Sequence, residues 1–242
     1  MSNIYEALEQ ASGKKNNSEV TPELSLQTEV IRGVSLRKEM VWLHHQVETC
    51  LSNTASKIIQ FVGSRRGEGV STIVREFAKN AVERHGKSVL ILDSTYKDHA
   101  GRVCINGARD YGWLDFIEEG KLIDKAFFRV GDSNLYFAPI SVQESLMPLQ
   151  NDLPLEVNLW EKLKERFDLI LIDTSSNLNS FESIGIARNA DGVIMVIEAG
   201  VTKKTTAAKL KKLIVSNGGT IVGAILNKRR YYIPEFIYRK FF

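Results

Sequence analysis

The segment Phe61-Val62-Gly63-Ser64-Arg65-Arg66-Gly67-Glu68-Gly69-Val70-Ser71-Thr72 constrains this chain more than any other. It joins the apolar run Lys57-Ile58-Ile59-Gln60-Phe61-Val62 to a stretch, Ser71 to His85, whose Ile73, Val74, Phe77, Ala78, Ala81 and Val82 fall on one helical face. Strand, glycine-rich turn and helix in that order form the frame of a phosphate-binding loop, written G-x-x-x-x-G-K-[ST]. Gly67 and Gly69 permit the positive-φ backbone that turns amides toward an anion. Ser71 falls where a hydroxyl ligates magnesium. Two positions break the pattern. Ser64 replaces the first glycine, and Val70 stands where the lysine reaches the β- and γ-phosphates. Phosphoryl transfer relies almost wholly on positioning and charge. Loss of one well-placed donor costs about 100- to 1000-fold in rate, unless Arg65 or Arg66 substitutes.

Downstream, apolar runs alternate with amphipathic stretches. Strands are expected at 58–62, 88–92, 135–138, 169–172, 193–197 and 221–226, and helices near 71–85, 113–119, 155–166, 181–189 and 203–216. This alternation predicts an α/β fold, a doubly wound and mostly parallel sheet flanked by helices, P-loop NTPase-like. In such sheets ligands bind beyond the carboxyl ends of the strands. Two expected strands end there in acids: Val89-Leu90-Ile91-Leu92-Asp93 and Leu169-Ile170-Leu171-Ile172-Asp173-Thr174. A carboxylate at the tip of a buried strand is costly without a use for its charge. Asp93 and Asp173 are therefore candidate catalytic residues and, with Ser71, candidate metal ligands; the rival reading makes them helix caps. Backbone amides and hydroxyls of Gly67, Glu68, Gly69, Val70, Ser71 and Thr72 are the candidate phosphate contacts.

Three segments are expected. Residues 1–28 hold a short helix capped by Asn3, with Ile4, Ala7, Leu8 and Ala11 on one face, followed by a polar tether; residues 29–228 hold the loop and sheet, entered through a helix from about Glu29 to Leu51; residues 229–242 form a basic aromatic tail. From Lys228 onward, Arg229, Arg230, Arg239 and Lys240 accompany Lys228 against the single acid Glu235. Tyr231, Tyr232, Ile233, Phe236, Ile237, Tyr238, Phe241 and Phe242 supply apolar surface. The tail suits an anionic membrane surface or an acidic partner; alternatively Tyr231, Tyr232 and Tyr238 are phosphoacceptors, or the segment packs on the core.

A formal net charge of +3 gives no bulk attraction to nucleic acid. No apolar run reaches membrane-spanning length, the start does not read as a signal peptide, and a cytoplasmic location is expected. Cys50 and Cys104 are too few for a disulfide scaffold and lack metal-ligand spacing, while His44, His45, His85 and His99 form no ligand pattern and read as surface or helix-face residues.

Residues 60–228 resemble the bacterial tyrosine kinases of capsule and exopolysaccharide synthesis, relatives of the cell-division and plasmid-partition ATPases. The likeness rests on Gly67-Glu68-Gly69-x-Ser71-Thr72, Val89-Leu90-Ile91-Leu92-Asp93 and Leu171-Ile172-Asp173-Thr174. Ile4-Tyr5-Glu6-Ala7-Leu8 and Asn227-Lys228-Arg229-Arg230-Tyr231-Tyr232-Ile233-Pro234 extend it toward both ends. The resemblance implies a parallel-sheet ATPase core using ATP or ADP with magnesium, and Asn227 at the position that contacts adenine. It also implies an activating membrane-embedded chain-length or export protein as partner, peripheral association with the inner face of the membrane, and self-association. The chain departs from that pattern at Val70, at Thr95 and Lys97 after the first acid, at Ser175-Ser176 after the second, and at Ser35 following Glu29-x-x-Arg32. The expected function is a degenerate, regulatory or docking component of polysaccharide synthesis or export. The alternative is an active autokinase acting on its tail tyrosines, and a third reading is a positioning ATPase that dimerises with nucleotide.

Overall fold

A computed structural model describes residues 23–24, 36–52, 54–93, 127–139, 157–174 and 186–229. Among these residues eight strands form one sheet: β1 (Glu23–Leu24), β2 (Lys57–Gly63), β3 (Val89–Asp93), β4 (Phe128–Val130), β5 (Leu135–Pro139), β6 (Leu169–Thr174), β7 (Gly192–Glu198) and β8 (Ile221–Asn227), in the spatial order β1-β4-β5-β3-β6-β2-β7-β8. All neighbours run parallel except β4 and β5. The described helices are α1 (Arg37–Cys50), α2 (Val70–His85), α3 (Val157–Arg166) and α4 (Lys204–Ser216).

The central strands are buried on both faces, which is why they read as unbroken apolar runs. Ile58, Ile59, Phe61, Leu90, Leu92, Ile170 and Ile172 are all inaccessible to solvent. Odd and even positions of each strand feed different cores. Ile59, Phe61, Ile91 and Leu171 pack with α1 and α2, whereas Ile58, Leu90, Leu92, Ile170 and Ile172 pack with Trp160 and Leu163 of α3. Helix α2 buries the apolar face read from sequence, with Val82 only partly covered. It stops at Gly86, whose left-handed backbone (φ 63°) lets its own N–H reach the Val82 carbonyl and the next N–H reach the Ala81 carbonyl.

Some expectations shift. The 181–189 segment contains, among its described residues, only a 3-10 turn, Ala187–Asn189. Strand β4 was not anticipated; three residues are too few to show a period, and its pairing depends on a turn at Gly131 (φ 52°). Strand β8 forms one sheet edge and is only half covered, leaving Leu226 59% exposed. His44 is buried rather than superficial, stacked 3.8 Å from the His85 ring. Burial and the neighbouring His85 push its pKa down to about 4. Within the expected tether, Glu23–Leu24 form β1 and pair with β4, a strand too short to show a period; the rest of the tether, the expected N-terminal helix, the helix near 113–119, Cys104, His99, Thr95, Lys97, Ser175, Ser176, Glu29, Arg32, Ser35 and the tail tyrosines lie outside the described residues. Among the described residues, no helix is long and apolar enough to cross a membrane.

The sheet order sets where chemistry can occur. From β2 the chain crosses by α2 to β3, on the far side of β6; later it returns over β2 to β7 and β8. The loop leaving β2 therefore faces a crevice where the winding reverses, with the tips of β3 and β6 on one side and β8 on the other.

Candidate functional site

Gly69 sits at the N-cap of α2 with φ 91°, and Gly67 has φ 88°, so both glycines adopt the left-handed backbone expected of a phosphate loop. No side chain caps α2. Its first amides, from Val70 onward, point out of the helix end and carry the positive end of the helix dipole. The Ile73 N–H already returns to the Gly69 carbonyl, closing the first turn.

Glu68 has a role that the sequence did not disclose. Its side chain is fully buried, and its carboxylate accepts hydrogen bonds from the Ser64 N–H (2.5 Å), the Ser64 hydroxyl (2.9 Å) and the Arg65 N–H (3.0 Å). The Thr202 hydroxyl, beyond the end of β7, donates to it as well. The loop thus carries its own anion, which fastens its opening turn and ties it to the neighbouring strand. Amides at Ser64 and Arg65 are consumed, leaving the helix-proximal part of the loop for an external phosphate. The close fit also explains Gly63, where a Cβ would come within 2.8 Å of the Glu68 carboxylate.

Val70 does not face the crevice as a lysine head would. It is buried in the cluster that includes Ile59, Phe61, Ile73 and Val74. Arg65 and Arg66 are exposed.

Beyond the sheet, Asp93 and Asp173 are opposite one another in the β3–β6 register and both are 1% exposed. Burial, reinforced by Asp93, pushes the Asp173 carboxyl far above its ordinary range. A hydrogen bond from Ser71 and the charge of Arg75 pull the other way without cancelling the effect. Two acids and a hydroxyl on the first turn of α2 thus converge. Magnesium takes one or two carboxylates with waters and substrate phosphates, so this donor set suits it. Among the described residues, no three His, Cys, Asp or Glu side chains group as a metal cage.

Two residues at the end of β8 close the far side. The Asn227 amide donates to the Glu68 carbonyl (2.7 Å), and the Lys228 ammonium donates to the Gly67 carbonyl (2.5 Å). Asn227 thus holds the loop backbone, a contact distinct from the adenine contact that the resemblance implies; the sequence places Lys228 only in a basic tail and does not single out Arg75.

No family model matches this chain. It is 22% identical over 222 residues to the tyrosine-protein kinase YwqD of Bacillus subtilis, spanning 90% of this chain and 87% of that protein. The kinase domain of Escherichia coli tyrosine kinase ETK superposes with a TM-score of 0.66 at 15% identity, covering 93% of this chain and 89% of that domain. The chain is a relative of the bacterial tyrosine kinases. The septum site-determining protein MinD from Pyrococcus horikoshii OT3, solved with Mg-ADP, shares the fold of this tyrosine-kinase relative more distantly, with a TM-score of 0.56 at 18% identity over 76% of each chain. In this tyrosine-kinase relative the loop, Asp93 and Asp173 sit at the strand ends where a P-loop fold places phosphate chemistry.

Proposed function

We propose that this chain binds a magnesium nucleotide weakly and works as a regulatory or docking component of extracellular polysaccharide synthesis or export, with little or no kinase activity of its own. The observation that carries this reading is the buried Val70 at the lysine position of an otherwise ordered phosphate loop. The first-turn amides of α2 hold the phosphate chain. Ser71, Asp93 and Asp173 hold the ion, directly or through water. Magnesium, when bound, neutralises charge on the phosphates. Asp173 must give up its proton for the ion to enter, because a neutral carboxyl is a poor ligand. Asn227 orients the loop and flanks the nucleoside side.

Without the loop lysine, the charge that develops on a transferring phosphoryl group lacks its nearest cation, so binding survives better than transfer. The partner in this reading is a membrane-embedded chain-length or export protein, met at the inner face of the membrane, in keeping with the likeness to YwqD and ETK. A second reading, an active autokinase, draws on Arg75 beside Asp173 as a substitute cation. Incubation with ATP labelled at the γ-phosphate separates the two. Label on Tyr231, Tyr232 or Tyr238 of the natural protein at a rate close to that of Val70→Lys would overturn the regulatory reading. Label appearing only after Val70→Lys supports it.

A further inference from the structure

Lys228 is the sole non-glycine residue with positive φ among those described, at 55°. Such strain persists only where surroundings hold it, and it gathers at functional sites. Here the backbone twist at the end of β8 sends the Lys228 side chain back over the phosphate loop. Its ammonium lies 2.5 Å from the Gly67 carbonyl and 3.6 Å from the Glu198 carboxylate. The preceding residue, Asn227, grips the next carbonyl, that of Glu68. Gly69 has to be glycine for this approach, since a Cβ there would lie 2.3 Å from the Asn227 amide.

Two consecutive loop carbonyls are thus drawn toward β8. A trans peptide is planar, with its C=O and N–H pointing oppositely. Holding the Gly67 carbonyl toward Lys228 turns the Glu68 N–H away from β8, and holding the Glu68 carbonyl toward Asn227 does the same for the Gly69 N–H. Those are donors that an anion seated in the loop would meet. An ammonium on the carbonyl also polarises its peptide and strengthens the donor at the other end.

We propose that Lys228 supplies the cation that the loop itself lacks: acting through the Gly67 peptide, it positions and polarises the amides that hold a diphosphate. Lys228 is a positioning residue in this account, contributed by the last strand rather than by the loop. The proposal rests on the nucleotide-binding reading given above and names the group that sustains it in the absence of a loop lysine. It concerns the phosphates and not the base, so any magnesium diphosphate feels it.

The test is calorimetric titration of magnesium ADP and of magnesium pyrophosphate into the full chain, comparing the natural protein with Lys228→Ala, Lys228→Arg and Arg229→Ala. The same series is repeated on a Val70→Lys background. Loss of one charge-assisted contact predicts roughly tenfold weaker binding of both ligands by Lys228→Ala. Lys228→Arg restores most of the affinity and Arg229→Ala stays near the natural value. Equal affinities for Lys228→Ala and the natural protein would overturn the proposal. So would a loss confined to ADP, which would place Lys228 on the nucleoside. If only the Val70→Lys proteins bind, the nucleotide reading of the natural chain fails. Lys228→Ala on that background then decides this proposal by the same tenfold criterion. Absence of binding by every protein overturns both.

Discussion

Asp93 and Asp173 end adjacent parallel strands in direct register, so two buried carboxyls meet beyond the sheet beside the first turn of α2. Like charges that close, out of water, oppose ionisation, and Asp173 is pushed up to about 8 by burial and by Asp93. A folded-state value above the unfolded one of 3.8 means that the native protein holds the extra proton. Stability from this group is complete at low pH and is lost as pH rises from about 4 toward 8.

Asp173→Asn imitates the protonated acid without its titration. Denaturant unfolding at pH 5 and pH 8 should show a smaller fall in stability for Asp173→Asn than for the natural protein. The same variant should bind magnesium ADP at least tenfold more weakly, because a carboxylate ligand is gone. Parallel pH profiles for the two proteins would contradict the assignment.

Glu68 holds the loop shut from within. Glu68→Ala leaves the Ser64 and Arg65 amides without their acceptor, and a buried unsatisfied donor costs about 1–3 kcal/mol. Glu68→Gln keeps an acceptor oxygen and should recover part of that loss. Urea midpoints for the three proteins check the order: natural, then Gln, then Ala. An Ala variant as stable as the natural protein would show that the loop is held by its other contacts.

The two loop glycines separate strain from contact. Gly67→Ala meets no atom within 4 Å and pays only for its left-handed backbone, about 1–2 kcal/mol. Gly69→Ala pays the same strain and also collides with the Asn227 amide at 2.3 Å. Gly69→Ala should therefore be the more destabilising of the two and should also displace Asn227 from the loop. Thermal unfolding ranks the stabilities, and equal losses would contradict the Asn227 contact.

The fold was legible because its central strands are buried on both faces and carry unbroken apolar runs, which periodicity detects directly. The acids at β3 and β6 were legible because a charge ending such a run stands out. β4 was not, since three residues beside a turn carry no period of their own. Glu68 was read only as a backbone donor, because nothing in Gly67-Glu68-Gly69 reveals that the side chain folds beneath its own loop. Lys228 was hidden in a basic tail. What distinguishes it is a left-handed backbone at a strand end, and that is a property of conformation rather than composition.

With Val70 in place of the lysine, the proposed function stands on the loop's remaining amides and acids binding a magnesium nucleotide. Calorimetric titration of ADP and ATP, with magnesium, into the natural protein and into Val70→Lys measures that binding. Since Val70 is buried, unfolding midpoints of both proteins should accompany the titration. Measurable, magnesium-dependent binding by the natural protein, tightened by Val70→Lys, is the expected result. No binding by the natural protein, with tight binding by a folded Val70→Lys, would contradict it.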